Sequence, residues 1–242
     1  SISFTVLANN LETLFIGWEF LGITSFLLIA FYRDRFLPIK NASKVYSLYR
    51  IGDVCLLLAM WLAHQIHWQK PFQFHNASLA TALPDAPIAI TGLGILLIIT
   101  AAIKSAQFPF SAWLPRAMEG PSTSSAIFYG AITSHLGVFL LLRTHSLWIS
   151  NNTLCLFIAS IGIATCISGS IIVKVQSSIK SQIAYGSILQ IGLMFIELSL
   201  GAYWLVVIHF ISNAVLRTYQ VLASPSVVSL LTKEQTFQKV LF

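Results

Sequence analysis

Long apolar stretches dominate this sequence and leave few folds open to it. They cover approximately residues 13–32, 46–64, 87–107, 123–143, 149–172, 181–199 and 202–222. About 20 consecutive apolar residues are needed to cross the hydrocarbon core of a bilayer as a helix. The stretches are too long and too continuously apolar for barrel strands, in which apolar residues alternate with polar ones. Because backbone polar groups in hydrocarbon must be hydrogen-bonded internally, we predict an all-α, polytopic transmembrane helix bundle of about seven spans.

The composition agrees with burial in lipid. Hydrophobic residues make up 56% of the 242 residues and charged residues only 9%, whereas a soluble domain carries about 25% charged residues. The mean hydropathy is +0.79. We therefore expect residues 1–242 to form a single membrane domain. Since the chain opens with Ser1 inside an apolar stretch, we also expect it to be a fragment, incomplete at both ends.

Positive charge is distributed unevenly between the two ends of the predicted spans. We call the side of the membrane that holds the joint after the first span side A. Since successive joints lie on alternate sides, nine cations fall on side A: Arg33, Arg35, Lys40, Lys44, Arg116, Lys174, Lys180, Lys233 and Lys239. Side B receives only Lys70 and Arg143. Lys and Arg concentrate in cytoplasmic loops. The distribution therefore predicts that side A faces the cytoplasm or matrix of a bacterial or mitochondrial inner membrane.

Other readings of the basic charge and the cysteines are not favoured. A formal charge of +6 would suit a nucleic-acid partner only if it formed an exposed basic stripe, and here the cations lie between apolar runs. The three cysteines have no metal-ligand or disulfide spacing. We expect no nucleic acid, metal or cofactor to bind this chain.

Several charged or titratable residues lie inside the apolar runs. They include the acids Glu19 and Asp53, the cations Arg50, Lys104 and Arg217, and His209. A charge at the centre of a bilayer costs at least about 2.5 kcal/mol, and such residues typically mark ion pathways or proton relays. Arg50 and Asp53 are three residues apart and can neutralise each other on one helix. Glu19 and Lys104 have no such local partner, which favours a functional role.

The third span is interrupted by prolines just after Lys104. Pro109, Pro115 and Pro121 each remove a backbone donor and prevent a continuous helix. Broken helices at membrane depth line cavities and transport sites, and a desolvated lysine can release its proton. The alternative is that the prolines merely end a helix at the membrane surface, and proline position alone does not separate the two.

Four groups of residues resemble one family of membrane proteins. They are Gly17–Ile29, which contains Gly-Trp-Glu; Tyr49–Asp53; Lys104–Gln107 with Trp113–Pro115 and Ala117–Pro121; and Ile179–Lys180 with Ile183–Tyr185 and Gln190–Gly192. In order and spacing they resemble the large antiporter-like subunits of NADH-quinone oxidoreductase (the subunit L or mitochondrial subunit 5 type), a family shared with Mrp-type cation/proton antiporters.

The resemblance implies a fold of 14 or more helices built from two inverted five-helix repeats, of which this chain would cover the first and part of the second. It also implies roles for individual residues. Glu19 is similar to the glutamate that pairs with the broken-helix lysine, here Lys104. Lys180 resembles a lysine that passes protons to the second repeat, and His209 the first histidine of a histidine-rich helix. Arg50 and Asp53 would support Glu19.

Three positions depart from the family pattern. The family usually has histidine at the positions of Tyr129 and Asn213, and lysine at the position of Arg217. Unperturbed tyrosine titrates near pH ~10 and arginine above ~12, and asparagine does not titrate, so the relay has lost groups that exchange protons near neutrality. His135 is a candidate substitute, although six residues from Tyr129 place it on a different helix face.

Three hypotheses of function remain. In the first, the chain translocates protons (alternatively sodium ions) as a subunit of a respiratory NADH-quinone oxidoreductase. That complex is a translocase, and we expect this chain to carry no redox centre of its own. Electron transfer would then belong to other membrane-complex subunits. In the second, the same fold serves inorganic-carbon uptake, a hydrogenase or Mrp-type antiport. In the third, the loss of relay residues has left a scaffold subunit that no longer conducts.

Overall fold

The computed structural model describes residues 2–66 and 87–224. Over these residues the chain is helical: α1 (Ile2–Leu7), α2 (Leu11–Ile29), α3 (Phe36–Gln65), α4 (Pro87–Lys104), α5 (Trp113–Ala117), α6 (Ser122–Arg143), α7 (His145–Trp148), α8 (Asn152–Val175), α9 (Ile179–Ser199) and α10 (Tyr203–Ala223). Lys70, Lys233 and Lys239, which contribute to the predicted sidedness, lie outside the described residues.

The predicted all-α membrane bundle is confirmed. Six helices, α2, α3, α6, α8, α9 and α10, are long and apolar enough to cross a membrane, and α4 is a shorter apolar helix. Large apolar side chains point away from the bundle, among them Trp204 at 84% exposure and Leu156 at 70%. In lipid such outward apolar faces are expected, because hydrocarbon solvates them. The protein is therefore an integral membrane protein.

Helix starts follow from capping side chains. Asn10, Asn151 and Ser178 precede α2, α8 and α9, and each accepts a hydrogen bond from a backbone N–H of the first turn. Such side chains satisfy donors that have no partner within the helix. Gly201, with φ of +76°, makes the turn between α9 and α10, a conformation that glycine adopts without steric cost.

The second span differs from its prediction. It was expected over residues 46–64, after a polar joint containing Pro38, but α3 begins at Phe36 and runs for 30 residues. Proline is tolerated in the first turn of a helix because the N–H groups there have no helical partner. Lys40 and Lys44 are therefore exposed on the first turns of α3 rather than in a joint.

The predicted break after Lys104 is present and is held by specific contacts. The chain leaves α4 at Ser105, and Ala106 adopts a positive φ of 53°, which costs about 1–3 kcal/mol for a residue other than glycine. Trp113 Nε1 donates to the carbonyl of Ile103 at 2.8 Å, and Thr165 Oγ1 accepts from the N–H of Phe108 at 3.0 Å. Side chains thus satisfy two backbone groups at the break, the carbonyl of Ile103 and the N–H of Phe108.

The break lies at the depth of the spans and not at their ends. Lys104 Nζ faces the rings of Trp18 and Tyr49, which lie well inside α2 and α3. The alternative that the prolines simply end a helix at the membrane surface is therefore not supported.

A second irregular segment was not predicted from sequence. Helix α6, expected to be uniform over residues 123–143, contains a π-helical segment at Ala126–Ile132 and a short 3₁₀ turn at Thr133–His135. Thr218 of α10 donates its hydroxyl to the carbonyl of Ala126 at 3.4 Å, and Ser134 donates to the carbonyl of Tyr129 at 2.9 Å. π-Helical turns often occur at functional sites, and this one lies beside the residues described next.

Candidate functional site

Glu19, Arg50 and Asp53 form one charged cluster between α2 and α3. The Arg50 guanidinium makes an ion pair with Glu19 and lies 3.1 Å from Asp53 Oδ2. It also lies over the ring of Tyr46, 4.6 Å from the centroid. The predicted neutralisation of Arg50 by Asp53 on one helix is thus seen, and Glu19 joins it from the neighbouring helix.

Lys104 is buried at 2% exposure at the end of α4. Its Nζ makes no hydrogen bond, and no carboxylate of residues 2–66 or 87–224 forms an ion pair with it. The amine lies 4.2 Å from the ring centre of Tyr49 and 4.9 Å from that of Trp18, close enough for cation–π attraction. A methyl group at Gly22 would lie 3.9 Å from both Lys104 Nζ and an Arg50 nitrogen. Lys104 therefore lies beside the charged cluster without belonging to it.

The direct pair of Glu19 with Lys104 that the resemblance implies is not formed here. Glu19 pairs with Arg50 instead: the Arg50 guanidinium donates a hydrogen bond to Glu19 and also makes an ion pair with Asp53. Arginine forms such multiple contacts more readily than lysine because it carries several donors in a rigid plane.

Tyr129, where the family usually has histidine, is buried and bonded to α2. Its hydroxyl lies 2.7 Å from Ser25 Oγ and donates to the Ser25 carbonyl at 3.2 Å. The ring packs edge-on against Trp113, which packs in the same way against Tyr49. Aromatic side chains thus connect the surroundings of Lys104 to those of Tyr129.

His135 lies in a hydrogen-bonded chain with Asn213 and Arg217. Arg217 Nε donates to Asn213 Oδ1 at 3.2 Å, and Asn213 Nδ2 lies 3.0 Å from His135 Nε2. Because arginine carries only donors, the asparagine oxygen must face it, and the amide nitrogen then donates to His135 Nε2. Ser134 Oγ, 3.2 Å from His135 Nδ1, already donates to a carbonyl, so it accepts from Nδ1–H.

The geometry therefore holds His135 neutral, with its proton on Nδ1. The side chains of Tyr129 and His135 do not bond to each other directly, which agrees with their placement on different faces. They are connected through Ser134, whose hydroxyl contacts both the His135 ring and the Tyr129 carbonyl. The irregular segment of α6 makes this connection, and no sequence pattern predicted it.

His209 is bonded to a carboxylate that sequence reasoning missed. Its Nδ1 lies 2.9 Å from Glu197 Oε1, and its Nε2 lies 2.9 Å from Gln190 Oε1. Glu197 is an acid inside an apolar run, residues 181–199, as Glu19 and Asp53 are in theirs. It could have been found by the same signal that identified Glu19 and Asp53.

Lys180 lies at the second position of α9, after the capping Ser178. Within the described residues it makes no ion pair, and no hydrogen bond joins it to Lys104 or His209. No group of three or more His, Cys, Asp or Glu in residues 2–66 and 87–224 is arranged to hold a metal ion.

Known proteins resemble this chain over most of its length. Residues 8–241 match the family described as NADH:quinone oxidoreductase/Mrp antiporter, TM. The chloroplastic NAD(P)H-quinone oxidoreductase subunit 5 of Helianthus annuus is 34% identical over 227 residues, and that of Carthamus tinctorius is equally similar. Each match covers 92% of this chain and 30% of the relative, so the chain spans less than a third of the length of these relatives.

A solved structure has the same fold. A chain of the Mrp complex from Dietzia sp. DQ12-45-1b aligns with a TM-score of 0.83 and 27% sequence identity, covering 90% of this chain and 24% of the other. The motifs around Glu19, Lys104 and Lys180 therefore occur in the fold that they predicted. The chain belongs to the family of NADH:quinone oxidoreductase and Mrp antiporter transmembrane subunits.

Proposed function

We propose that this chain is a proton-conducting part of an antiporter-like subunit in a complex I type NADH-quinone oxidoreductase. The observation that carries the proposal is Lys104: a buried amine without a hydrogen-bond partner, at the break of α4, beside Glu19, Arg50 and Asp53. Such a costly arrangement in an apolar layer marks an ion pathway more often than a structural contact.

Arg50 gives Glu19 a partner other than Lys104. A carboxylate that approaches the Lys104 amine stabilises its ammonium form, and one that withdraws removes that stabilisation. In the described arrangement Glu19 is bonded to Arg50. Exchange of Glu19 between Arg50 and Lys104 would make the lysine bind a proton and then release it.

From Lys104 the proposed path continues through the interior towards α9 and α10. Four polar side chains that make hydrogen bonds lie along this path, and we call them the polar row: Tyr129, His135, Asn213 and Arg217. His209 lies one helical turn from Asn213. Lys180 would connect the row to the second repeat. Asn213 and Arg217 orient His135 in this arrangement and do not exchange protons themselves.

The relatives' names support the choice of complex. The curated relatives are subunits of NAD(P)H-quinone oxidoreductases, so we place this chain among other membrane subunits, with electron transfer carried out by its partners. The uneven distribution of cations supports our proposal that the joint at Arg33–Arg35 faces the cytoplasmic or matrix side of a bacterial or mitochondrial inner membrane.

The test is NADH-driven proton uptake by vesicles that contain the full-length complex. Lys104→Ala should abolish proton uptake while the complex still assembles, because the variant removes the proton-binding amine. Lys44→Ala is the matched control, since Lys44 is exposed on α3, and should pump like the wild type. Normal pumping by Lys104→Ala would refute the role of this residue.

A second candidate is cation/proton exchange in an Mrp-type complex, and it is favoured by the similarity to the Dietzia sp. Mrp complex. The same fold would also serve a hydrogenase or an inorganic-carbon uptake complex. If NADH drives no proton uptake in wild-type vesicles, an imposed pH gradient that drives sodium or bicarbonate movement would support this candidate. A non-conducting scaffold subunit predicts no Lys104-dependent flux in either assay.

A further inference from the structure

The turn between α9 and α10 brings a carboxylate, an imidazole and an amide together. Glu197 lies near the end of α9, Gln190 two turns earlier on the same face, and His209 on the second turn of α10. Both nitrogens of His209 face oxygen atoms at 2.9 Å, Glu197 Oε1 on one side and Gln190 Oε1 on the other. Glu197 and His209 are each about four-fifths buried, with side-chain exposures of 19%.

The partners of His209 fix the number of protons in this cluster. An amide oxygen only accepts, so His209 Nε2 must carry a hydrogen to bond Gln190. The bond between Nδ1 and Glu197 Oε1 needs one further hydrogen. The pair is therefore either an imidazolium beside a carboxylate or a neutral imidazole beside a carboxylic acid. Both forms contain the same proton and carry no net charge, which favours them in an apolar layer.

Glu197 has capacity for a further bond. Its second oxygen, Oε2, is buried and makes no hydrogen bond with any described residue. Because Oε2 has no partner and belongs to the carboxyl group that shares a proton with His209, it can accept a proton or deliver one. Gln190, which does not titrate, holds the other side of the ring and keeps Nδ1 directed at Glu197.

The cluster lies next to the polar row without being part of its hydrogen-bonded chain. His209 and Asn213 are four residues apart and share a face of α10, and Asn213 bonds His135. The titratable and charged groups that face His209 are Glu197 from α9 and His135 from α6, while Arg217 lies two turns further along α10 and interacts with His135. Glu197 and His209 thus supply exchangeable protons beside a position, Asn213, that has none.

We propose that Glu197 is a proton-binding residue of this chain, sharing one proton with His209 at the end of the row near the α9–α10 turn. The inference rests on the proposed function. In the transfer, the Nδ1–H bond breaks as the O–H bond of Glu197 forms, leaving a neutral ring. When the proton leaves, the pair carries one negative charge until the row delivers the next proton.

The test uses the full-length protein in its complex and compares Glu197→Gln with the wild type. Glutamine can still bond His209, because its amide N–H can donate to Nδ1 of the neutral ring while Nε2–H keeps its bond to Gln190, so a glutamate that only joins the helices would be replaced without loss. We expect the rate of proton translocation to fall by about tenfold or more, as for lost acid–base groups, and its pH profile to lose a titration step. Glu12→Gln, an exposed acid of α2, is the matched control.

Parallel variants separate the possible outcomes. Glu197→Asp, which keeps a carboxylate, should restore part of the rate, and amounts of assembled complex are measured for each variant. Wild-type rates and pH profile in Glu197→Gln, with pumping lost in Lys104→Ala, would overturn this inference and leave the proposed function standing. Pumping unaffected in both variants would overturn both. A slow Glu197→Gln without rescue by Glu197→Asp would indicate a structural role and also overturn it.

Discussion

Asn213 shows how a single non-titrating residue organises its neighbours. Its amide oxygen faces Arg217 and its nitrogen donates to His135 Nε2, so a residue that exchanges no protons decides which nitrogen of His135 carries the proton. A histidine, which the family usually has at this position, would act as both donor and acceptor towards Arg217 and His135. The departure therefore changes the chemistry of His135 as well as that of position 213.

Replacing Asn213 with an apolar residue should destabilise the protein. Asn213→Leu leaves the buried His135 Nε2 and the Arg217 Nε without their partner, and an unsatisfied buried polar group costs about 1–3 kcal/mol. Thermal unfolding of the purified protein in detergent measures the loss. Ser212→Ala is the control, because the exposed Ser212 hydroxyl bonds only carbonyls of its own helix. Equal melting temperatures for both variants would contradict this account of Asn213.

At the residue scale, sequence reasoning found most of the charged groups but not their partners. The pairing of Arg50 with Asp53 followed from their spacing on one helix. The ion pair between Glu19 and Arg50 depends on the packing of α2 against α3, which no local sequence pattern predicts. Glu197 was missed although its position in an apolar run carried the necessary signal.

Close packing between α8 and α9 depends on glycines that face each other. A Cβ atom at Gly162 would lie 2.7 Å from the carbonyl oxygen of Gly192 and 2.9 Å from Ile196 Cγ1. Small residues of this kind allow transmembrane helices to approach closely.

Adding one methyl group should therefore disturb this helix pair. Gly162→Ala overpacks the contact, and we expect a loss of about 1–3 kcal/mol of stability. Gly92→Ala is the matched control, because a Cβ at Gly92 would meet only Leu62 Cδ1 at an ordinary 3.8 Å. Thermal unfolding of both variants in detergent compares them. A Gly162→Ala protein as stable as Gly92→Ala would show that the two helices do not pack as described.

At the element scale, hydropathy and proline predicted the spans and the break, because both act locally. The start of α3 at Phe36 was missed since Pro38 suits the first turn of a helix as well as a joint. The π-helical segment of α6 was not predictable, because Ala126–Ile132 has no proline and reads as an ordinary helix. Its irregular backbone is matched by contacts with α10 that only the tertiary structure provides.

The order of the spans fixes which joints share a side of the membrane. Asp34, before α3, and Ser177, before α9, should lie on one side, and Ser150, before α8, on the other. Single cysteines at these three positions can be labelled with a membrane-impermeant thiol reagent in intact cells and in inverted vesicles. The unsubstituted protein with Cys55, Cys155 and Cys166 provides the background.

We expect Ser150→Cys to react from outside the cell, and Asp34→Cys and Ser177→Cys only in inverted vesicles, since the basic joints face inward. Labelling of Asp34→Cys and Ser177→Cys from opposite sides would contradict the order of spans itself.

At the scale of the whole molecule, composition and the charge distribution predicted a membrane bundle, whereas the partner complex depends on surfaces outside this chain.

The most direct test of the central claim is the ratio of protons translocated to NADH oxidised by the full-length complex. We predict that in Lys104→Ala this ratio falls to zero, whereas the wild type and Lys44→Ala keep it, while NADH oxidation in the presence of an uncoupler continues. The ratio is independent of the amount of complex in the vesicles, so it separates lost pumping from poor assembly. An unchanged ratio in Lys104→Ala would contradict the assignment of Lys104 as the proton-binding residue of this chain.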